Sequence, residues 1–349
     1  MRWFDLQRKD FQSFLIIRLS SLGDILLTTP SIRCLRQAYP KARIDVLIRA
    51  QYRGLLEGNP HLSNLILFPD QGDFAALRKT ASELRCRYDV VIDLHTGLRS
   101  FYLRRRLRAD RILRYRKKRL QRWVLVKLKK NIYREEFSVP VAYIRSMAKL
   151  GVQDDGKGLE WFAAKERRNS FLALCGLEAA PVPQPIALCP GASHFTKRWP
   201  IEKWRELGKR LLDAGEPALW VFGGSEDSEA GEFLFRLHPE RVLNFCGKLD
   251  LALSGAGISF CRLAITHDAG PAHMAAAVGT PVVDIFGSTV PQFGFSPFRI
   301  PHRIAEKKLH CRPCSHLGYS KCPQDHFRCM KDQSVDDILN LAREIAKPA

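Results

Sequence analysis

Short apolar runs alternate with amphipathic stretches along most of this chain. In the first half, LIIRL, RIDVLIR, NLILF and YDVVIDL read as strands, and a helical pattern from about Ile25 to Ala38 separates the first two. The alternation returns in the second half through PIALCPG, ALWVFGG, RVLNFCG, LAITHD and PVVDIFG. Such alternation predicts parallel sheets covered by helices, an α/β fold. Between the halves, Ala179 to Pro185 holds three prolines in seven positions and is the best linker candidate. The expected organisation is therefore a domain over 1–178, a second over 186–333, and a terminal helix over 334–349.

The most informative stretch is THDAGPAHMAAAVGTPVVDIFGST, residues 266–289. An apolar run closes at Ile265 and Thr266, Asp268 follows as the chain turns, and Gly270-Pro271 opens an alanine-rich helix with proline in its favoured first position. Backbone N–H groups and the positive end of a helix dipole at such a turn make an anion seat, with Asp268 and His273 beside it. Upstream, the strand Ile186–Cys189 runs into PGASHFTKRWP. That loop leaves the carboxyl edge of a strand, where open α/β sheets bind ligands. Ser193, Thr196 and Lys197 offer hydroxyls and a compact cation suited to a pyrophosphate, whereas Trp199, Ile201, Trp204 and Leu207 read as the apolar start of the next helix.

A third turn lies near the amino terminus, where Phe14–Ile17 leads into RLSSLGDILL. It has neither Walker nor dinucleotide glycine spacing, and Asp24, alone, would be an ordinary helix cap. His95 in DLHTG leaves another strand end, either touching an acceptor or serving as a hydrogen-bonded structural histidine. Glu226 and Asp227 in FGGSEDSEAGE end a further strand, and either acid suits a nucleotide ribose.

Together, RLSSLGDILLTTP, PGASHFTKRWPIEKW and the 266–289 stretch, in that order, resemble the ADP-heptose:lipopolysaccharide heptosyltransferases of glycosyltransferase family 9. The likeness implies a GT-B fold, two Rossmann-like domains facing across a cleft, and transfer with inversion at the sugar carbon. It implies that Asp24 is the general base and Lys197 a phosphate-binding lysine. Asp268, Gly270 and His273 would form the donor-phosphate loop, to which the reading of the residues themselves adds Pro271, Ser193, Thr196 and Asp227 as donor-site candidates. The likeness also implies an ADP-heptose donor and a lipopolysaccharide inner-core acceptor; neutralisation by the lysine and the helix dipole would leave no metal or cofactor required. One departure stands out: Ala269 replaces the hydroxyl residue usual after the aspartate. A backbone N–H, Ser193 or Thr196 must supply that donor. The remaining alternatives are transfer of another nucleotide-activated sugar, or a non-catalytic protein binding anionic glycolipid or nucleic acid.

Composition narrows the setting. The chain has 349 residues, 46% of them hydrophobic, enough for two ordinary cores. No apolar run approaches the length of a membrane span, and the FLII run near the start is too short for a secretory signal. A cytoplasmic protein is expected. Ten cysteines, several inside apolar segments, fit reduced thiols better than a disulfide framework.

The net charge of +20 is concentrated between Arg99 and Arg134, where sixteen Lys or Arg meet one acid, Asp110. Aromatic and aliphatic residues interleave with them. Arg114, Arg116, Lys117, Lys118, Arg119 and Trp123 therefore read as a surface for acceptor and anionic membrane, peripheral on the inner face of the cytoplasmic membrane. Nucleic acid is the other polyanion, but no nucleic-acid module is readable. Finally, Cys311, Cys314, Cys322 and Cys329 form C-x2-C-x7-C-x6-C, which carries a structural zinc alternative.

Overall fold

The computed structural model describes residues 11–133, 136–162, 165–178 and 181–346. The first ten residues, Arg134 of the basic segment, Ala179 and Ala180 of the expected linker, and the last three positions of the expected terminal helix lie outside the described residues.

From the amino-terminal side the elements are β1 (Ser13–Ile17), α1 (Leu22–Leu26), α2 (Thr29–Ala38), β2 (Arg43–Arg49), β3 (Asn64–Phe68), α3 (Phe74–Glu83), β4 (Val90–Asp93), α4 (Leu98–Arg106), β5 (Arg111–Arg114), α5 (Arg119–Leu128) and α6 (Val139–Arg145). They continue as α7 (Lys165–Leu174), β6 (Ile186–Cys189), α8 (Ile201–Asp213), β7 (Leu219–Val221), α9 (Ser228–Phe235), β8 (Val242–Asn244), α10 (Leu251–Ile258), β9 (Leu263–His267), α11 (Gly270–Ala277), β10 (Val282–Ile285), β11 (His302–Ala305), α12 (Arg328–Lys331) and α13 (Val335–Ala346). Every strand pairing is parallel. One sheet has the order β3-β2-β1-β4-β5, the other β11-β10-β9-β6-β7-β8.

These orders locate the functional loops. In the first sheet successive strands run outward on one side of β1 and then on the other, so the direction reverses between β1 and β4. In the second it reverses between β6 and β9. The carboxyl ends of the strands flanking each reversal diverge into a crevice, the place where open α/β sheets take ligands. The turns leaving β1, β4, β6 and β9 carry Asp24, His95, Lys197 and Asp268 respectively.

Packing follows the apolar pattern. Central strands are buried on both faces, as in Phe14–Ile17 and throughout β4 and β6. Helix α8 buries Trp204, Leu207, Gly208, Leu211 and Leu212, one stripe at helical spacing, against the second sheet. The expected helix near Ile25 to Ala38 is two helices, because Pro30 has no N–H to continue a ladder and so sits at the start of α2. Two strands went unanticipated, β5 and β11. Both are edge strands, and β5 (RILR) carries arginines at both ends, which hid it inside the basic segment.

The chain forms two compact units that do not follow the expected boundaries. The first holds the described residues up to Lys117 together with Pro140–Lys157, and the second holds the described residues of Lys118–Val139 and those from Gly158 onward. Thus 118–139 and 158–178, assigned from the sequence to the first domain, pack with the second. Leu125 of α5 clusters with Val290 and Phe293, and Phe171 of α7 stacks among Trp220, Phe222, Phe245 and Phe260. The proline-rich stretch is therefore no boundary. Pro185 accepts the Arg262 N–H inside the second unit.

Candidate functional site

In the second unit, β6 and β9 pair with Cys189 opposite Thr266, which brings the two following loops together. Lys197 Nζ donates to the Asp268 carbonyl oxygen at 2.7 Å and lies 2.7 Å from its Oδ2. Thr289, from the turn after β10, donates its hydroxyl to the same Oδ2 at 2.6 Å. Two residues on, α11 begins, with Ala269 as its N-cap and Gly270 and Pro271 in its first turn. A cation, a carboxylate and the positive end of a helix thus share one place. Proline occupies the second helical position rather than the expected first; its missing N–H costs nothing there either.

His267 braces this arrangement from below. Its Nε2 accepts the Trp199 N–H at 2.9 Å and its Nδ1 lies 3.3 Å from the Gly191 carbonyl oxygen, which ties β9 to the loop after β6. Burial, with the nearby Arg198 and Lys197 charges, lowers its pKa to about 4, so the ring is neutral at neutral pH. Trp199 and Trp204 are buried scaffold, as the sequence suggests.

Three of the expected donor contacts sit differently. Thr196 is 1% exposed; its hydroxyl lies 2.9 Å from that of Ser288 and accepts the Tyr319 N–H. It holds the tail onto the loop and is not turned outward, so of the two hydroxyls expected to replace the one missing at Ala269, only the exposed Ser193 remains. Asp227 is buried, accepts the Gly224 N–H at 3.1 Å and fills the space over Gly191, where an added Cβ would lie 2.0 Å from Oδ2. It closes its own turn, whereas Glu226 is exposed. His273 is buried on α11 rather than open beside the turn.

Asp284 of β10 was missed altogether. It is fully buried, and neither carboxyl oxygen has a hydrogen-bond partner among the described residues. Burial and then the Asp268 charge push its carboxyl well above the usual range, which favours the protonated form.

In the first unit the turn after β1 places Asp24 in the only turn of α1, its side chain 24% exposed. Its Oδ2 accepts the Ser21 hydroxyl at 3.0 Å and lies 2.5 Å from Nη2 of Arg18. Burial pushes this carboxyl up, but the Arg18 charge and the Ser21 hydrogen bonds outweigh it and hold Asp24 below the ordinary carboxylate range. His95 leaves β4 on a loop ordered by Asp93, which accepts the N–H groups of His95 and Thr96 and the Ser100 hydroxyl. Its pKa is lowered to about 4 by burial and by Arg18 and Lys117. It lies near enough to Asp24 to feel its charge.

The basic segment is not one helix. Arg114 ends β5, and Arg116 and Lys117 follow it in the first unit; Lys118 caps α5 in the second, which Arg119 opens and which carries Trp123. Leu120, Trp123 and Leu128 are exposed on α5, while Leu125 anchors it. Among the described residues no helix is long and apolar enough to cross a membrane. Nor is any group of three or more His, Cys, Asp or Glu arranged to hold a metal ion. The four-cysteine zinc alternative therefore has no ligand shell here: Cys314 Sγ donates to the Cys311 carbonyl oxygen, and burial raises the Cys314 and Cys329 thiols to about 11 and 12.

The family model for glycosyltransferase family 9 (heptosyltransferase) matches residues 77–321. The chain belongs to glycosyltransferase family 9. It is 29% identical over 301 residues to lipopolysaccharide heptosyltransferase 2 of Escherichia coli, covering 80% of this chain and 84% of that protein. Among solved structures it is similar to a family 9 glycosyltransferase from Veillonella parvula, with a TM-score of 0.79, 23% identity, and 95% and 96% of the two chains covered. The ADP-heptose LPS heptosyltransferase II of Escherichia coli gives 0.73, 22%, and 95% and 98%. The two parallel-sheet units of this family 9 chain are those of the GT-B fold.

The sequence brought forward Lys197, Asp268, Gly270 and Asp24, and the structure brings the first three together. It passed over Arg18, His267, Thr289 and Asp284. A visible signal existed for two of them, an arginine directly behind the apolar run Phe14–Ile17 and an acid inside the VVDIF strand.

Proposed function

We propose that this protein transfers a heptose from ADP-heptose to the inner core of lipopolysaccharide, inverting the sugar carbon. Family membership supports heptosyl transfer. The observation that carries the donor assignment is the Lys197–Asp268 pair at the start of α11. Lysine has three N–H donors and Asp268 occupies two directions, so one remains for a diphosphate oxygen. Lys197 and the helix start then stabilise the charge that grows on ADP as the sugar–phosphate bond breaks. Ser193, Gly270 and Pro271 line the same turn, with Asp268 orienting the lysine.

Asp24 is the proposed base. An acceptor hydroxyl oxygen bonds to the sugar carbon, its proton passes to Asp24, and ADP leaves with the electron pair of the broken bond. No divalent metal enters this scheme, because the lysine and the helix dipole supply the neutralising charge. The exposed apolar and basic face of α5 suits the anionic inner surface of the membrane in which such an acceptor would be anchored; nucleic acid is not an expected partner.

The test is a purified reaction with ADP-heptose and lipopolysaccharide core acceptors of increasing length, with product mass and anomeric configuration read by spectroscopy. Asp24→Asn keeps the shape but cannot take the proton, so turnover should fall by about 10² or more with donor affinity unchanged. Transfer from a different nucleotide sugar in preference to ADP-heptose would sink the donor assignment, and a fully active Asn variant would remove Asp24 from the mechanism.

A further inference from the structure

Arg18 is a charged side chain directly behind the apolar run Phe14–Ile17, only 5% exposed, and every nitrogen of its guanidinium is engaged. Nε donates to the Ser20 carbonyl oxygen at 2.9 Å, and Nη1 donates to the Leu94 carbonyl oxygen at 2.6 Å and to the Tyr143 hydroxyl at 2.7 Å. Nη2 lies against Oδ2 of Asp24 at 2.5 Å. Tyr143 comes from α6, is itself buried, and packs edge-on against Tyr115 at 4.9 Å. The guanidinium therefore joins the ends of β1 and β4 to α6 and presents one fixed nitrogen to one carboxylate oxygen.

We infer that Arg18 is the positioning residue of this site: it fixes Oδ2 of Asp24, keeps the carboxylate ionised, and leaves Oδ1 as the oxygen that receives the acceptor proton, with Tyr143 locking the guanidinium in place. The inference rests on reading Asp24 as the base. Ser21 donates to the same Oδ2, so both contacts fall on one side of the carboxylate. A buried guanidinium with three backbone or hydroxyl acceptors cannot rotate away, which gives orientation as well as charge.

The Tyr115 and Tyr143 hydroxyls face the guanidinium, and His95 at the end of β4 feels both Arg18 and Asp24 together with the opposite charges of Lys117 and Asp93. His95 is neutral near pH 7, so the cation that Asp24 meets directly is Arg18. With Arg18 removed, only the Ser21 hydrogen bonds would oppose burial at Asp24, and the balance would move toward the protonated, inactive form.

The experiment is the pH profile of kcat and kcat/KM with the full chain, donor and acceptor, for Arg18→Met, Arg18→Lys and Tyr143→Phe. In Arg18→Met, kcat at pH 8 should fall about 10- to 100-fold, the size of a misplaced catalytic group. Its acid limb should also move upward, so that activity at pH 5.5 relative to pH 8 drops at least about threefold further than in the wild type. Arg18→Lys keeps the charge without the fork and should restore the low acid limb but not the full kcat. Tyr143→Phe removes one hydroxyl and should shift the limb the same way by less, which keeps the test decisive should Arg18→Met not fold. A uniform loss at every pH, with the acid limb unmoved in both Arg18→Met and Tyr143→Phe, would reduce Arg18 to a structural brace and overturn the inference. Failure of the underlying reading looks different: Asp24→Asn would then stay active. An inactive Asp24→Asn with an unmoved limb in the Arg18 variants sinks the Arg18 role alone.

Discussion

Lys197 Nζ sits 2.7 Å from both the main-chain oxygen and the Oδ2 of Asp268. The lysine that faces the proposed donor is thus also the bond that closes the turn ahead of α11, and binding and local structure depend on one side chain. Lys197→Ala should weaken ADP binding about tenfold or more, since a hydrogen bond to a charged group is worth about 1.5–3 kcal/mol. Adding Asp268→Asn should recover stability by neutralising the stranded carboxylate, without recovering affinity. Calorimetry of ADP binding decides it, and an unaltered Kd in Lys197→Ala would place the diphosphate elsewhere.

His267 gives a pH dependence of stability. Its folded pKa, about 4, lies below that of an unfolded histidine, about 6.5. As pH falls from 6.5 toward 4 the unfolded chain binds a proton that the folded one refuses, so stability declines, by about 3 kcal/mol in all. His267→Gln cannot titrate, and its urea midpoint should fall less steeply over that window. Parallel decline of the two proteins would assign the acid sensitivity to other groups.

Asp284 works in the opposite sense. The folded protein holds a proton on it that the unfolded chain releases above about pH 3.9, so stability is lost as pH rises, by about 1.4 kcal/mol per unit until the folded pKa is passed. Asp284→Asn carries no such linkage. Its stability advantage over the wild type should widen as pH rises above that of the unfolded carboxyl, as read by chemical denaturation; a gap that stays constant would mean that Asp284 is ionised in the fold.

Membrane attachment has its own test. Leu120 and Trp123 are exposed on α5 while Leu125 holds the helix onto the second unit, so replacing both outer residues by Asp removes the interfacial face and leaves the anchor. Sedimentation with anionic phospholipid vesicles should drop for this variant, and for charge reversal at Arg116, Lys117, Lys118 and Arg119, while ADP affinity stays the same. Wild-type binding should fade as the Debye length shrinks from about 10 Å at 0.1 M salt to about 3 Å at 1 M. Undiminished sedimentation of both variants would exclude this surface, and a selective loss of duplex RNA binding would point to nucleic acid instead.

The sequence by itself determined the alternation of strand and helix, the strands from β1 to β4 and β6 to β10, and the turns that carry Asp24, Lys197 and Asp268. Those features are local: apolar runs, a proline or glycine at a helix boundary, and a motif within two dozen positions. The tertiary structure decided the rest. Whether 118–139 belongs to the first or second unit depends on Leu125 meeting Val290 and Phe293, some 165 residues away in the chain, and no local pattern encodes that choice. The same holds for side-chain direction. Thr196 and Asp227 have the right chemistry for a donor site, but Ser288, Tyr319 and Gly224 claim them. Arg18 reads in the sequence as a residue at a strand end. It becomes the partner of Asp24 only when β4 brings Leu94, and α6 brings Tyr143, to hold it there.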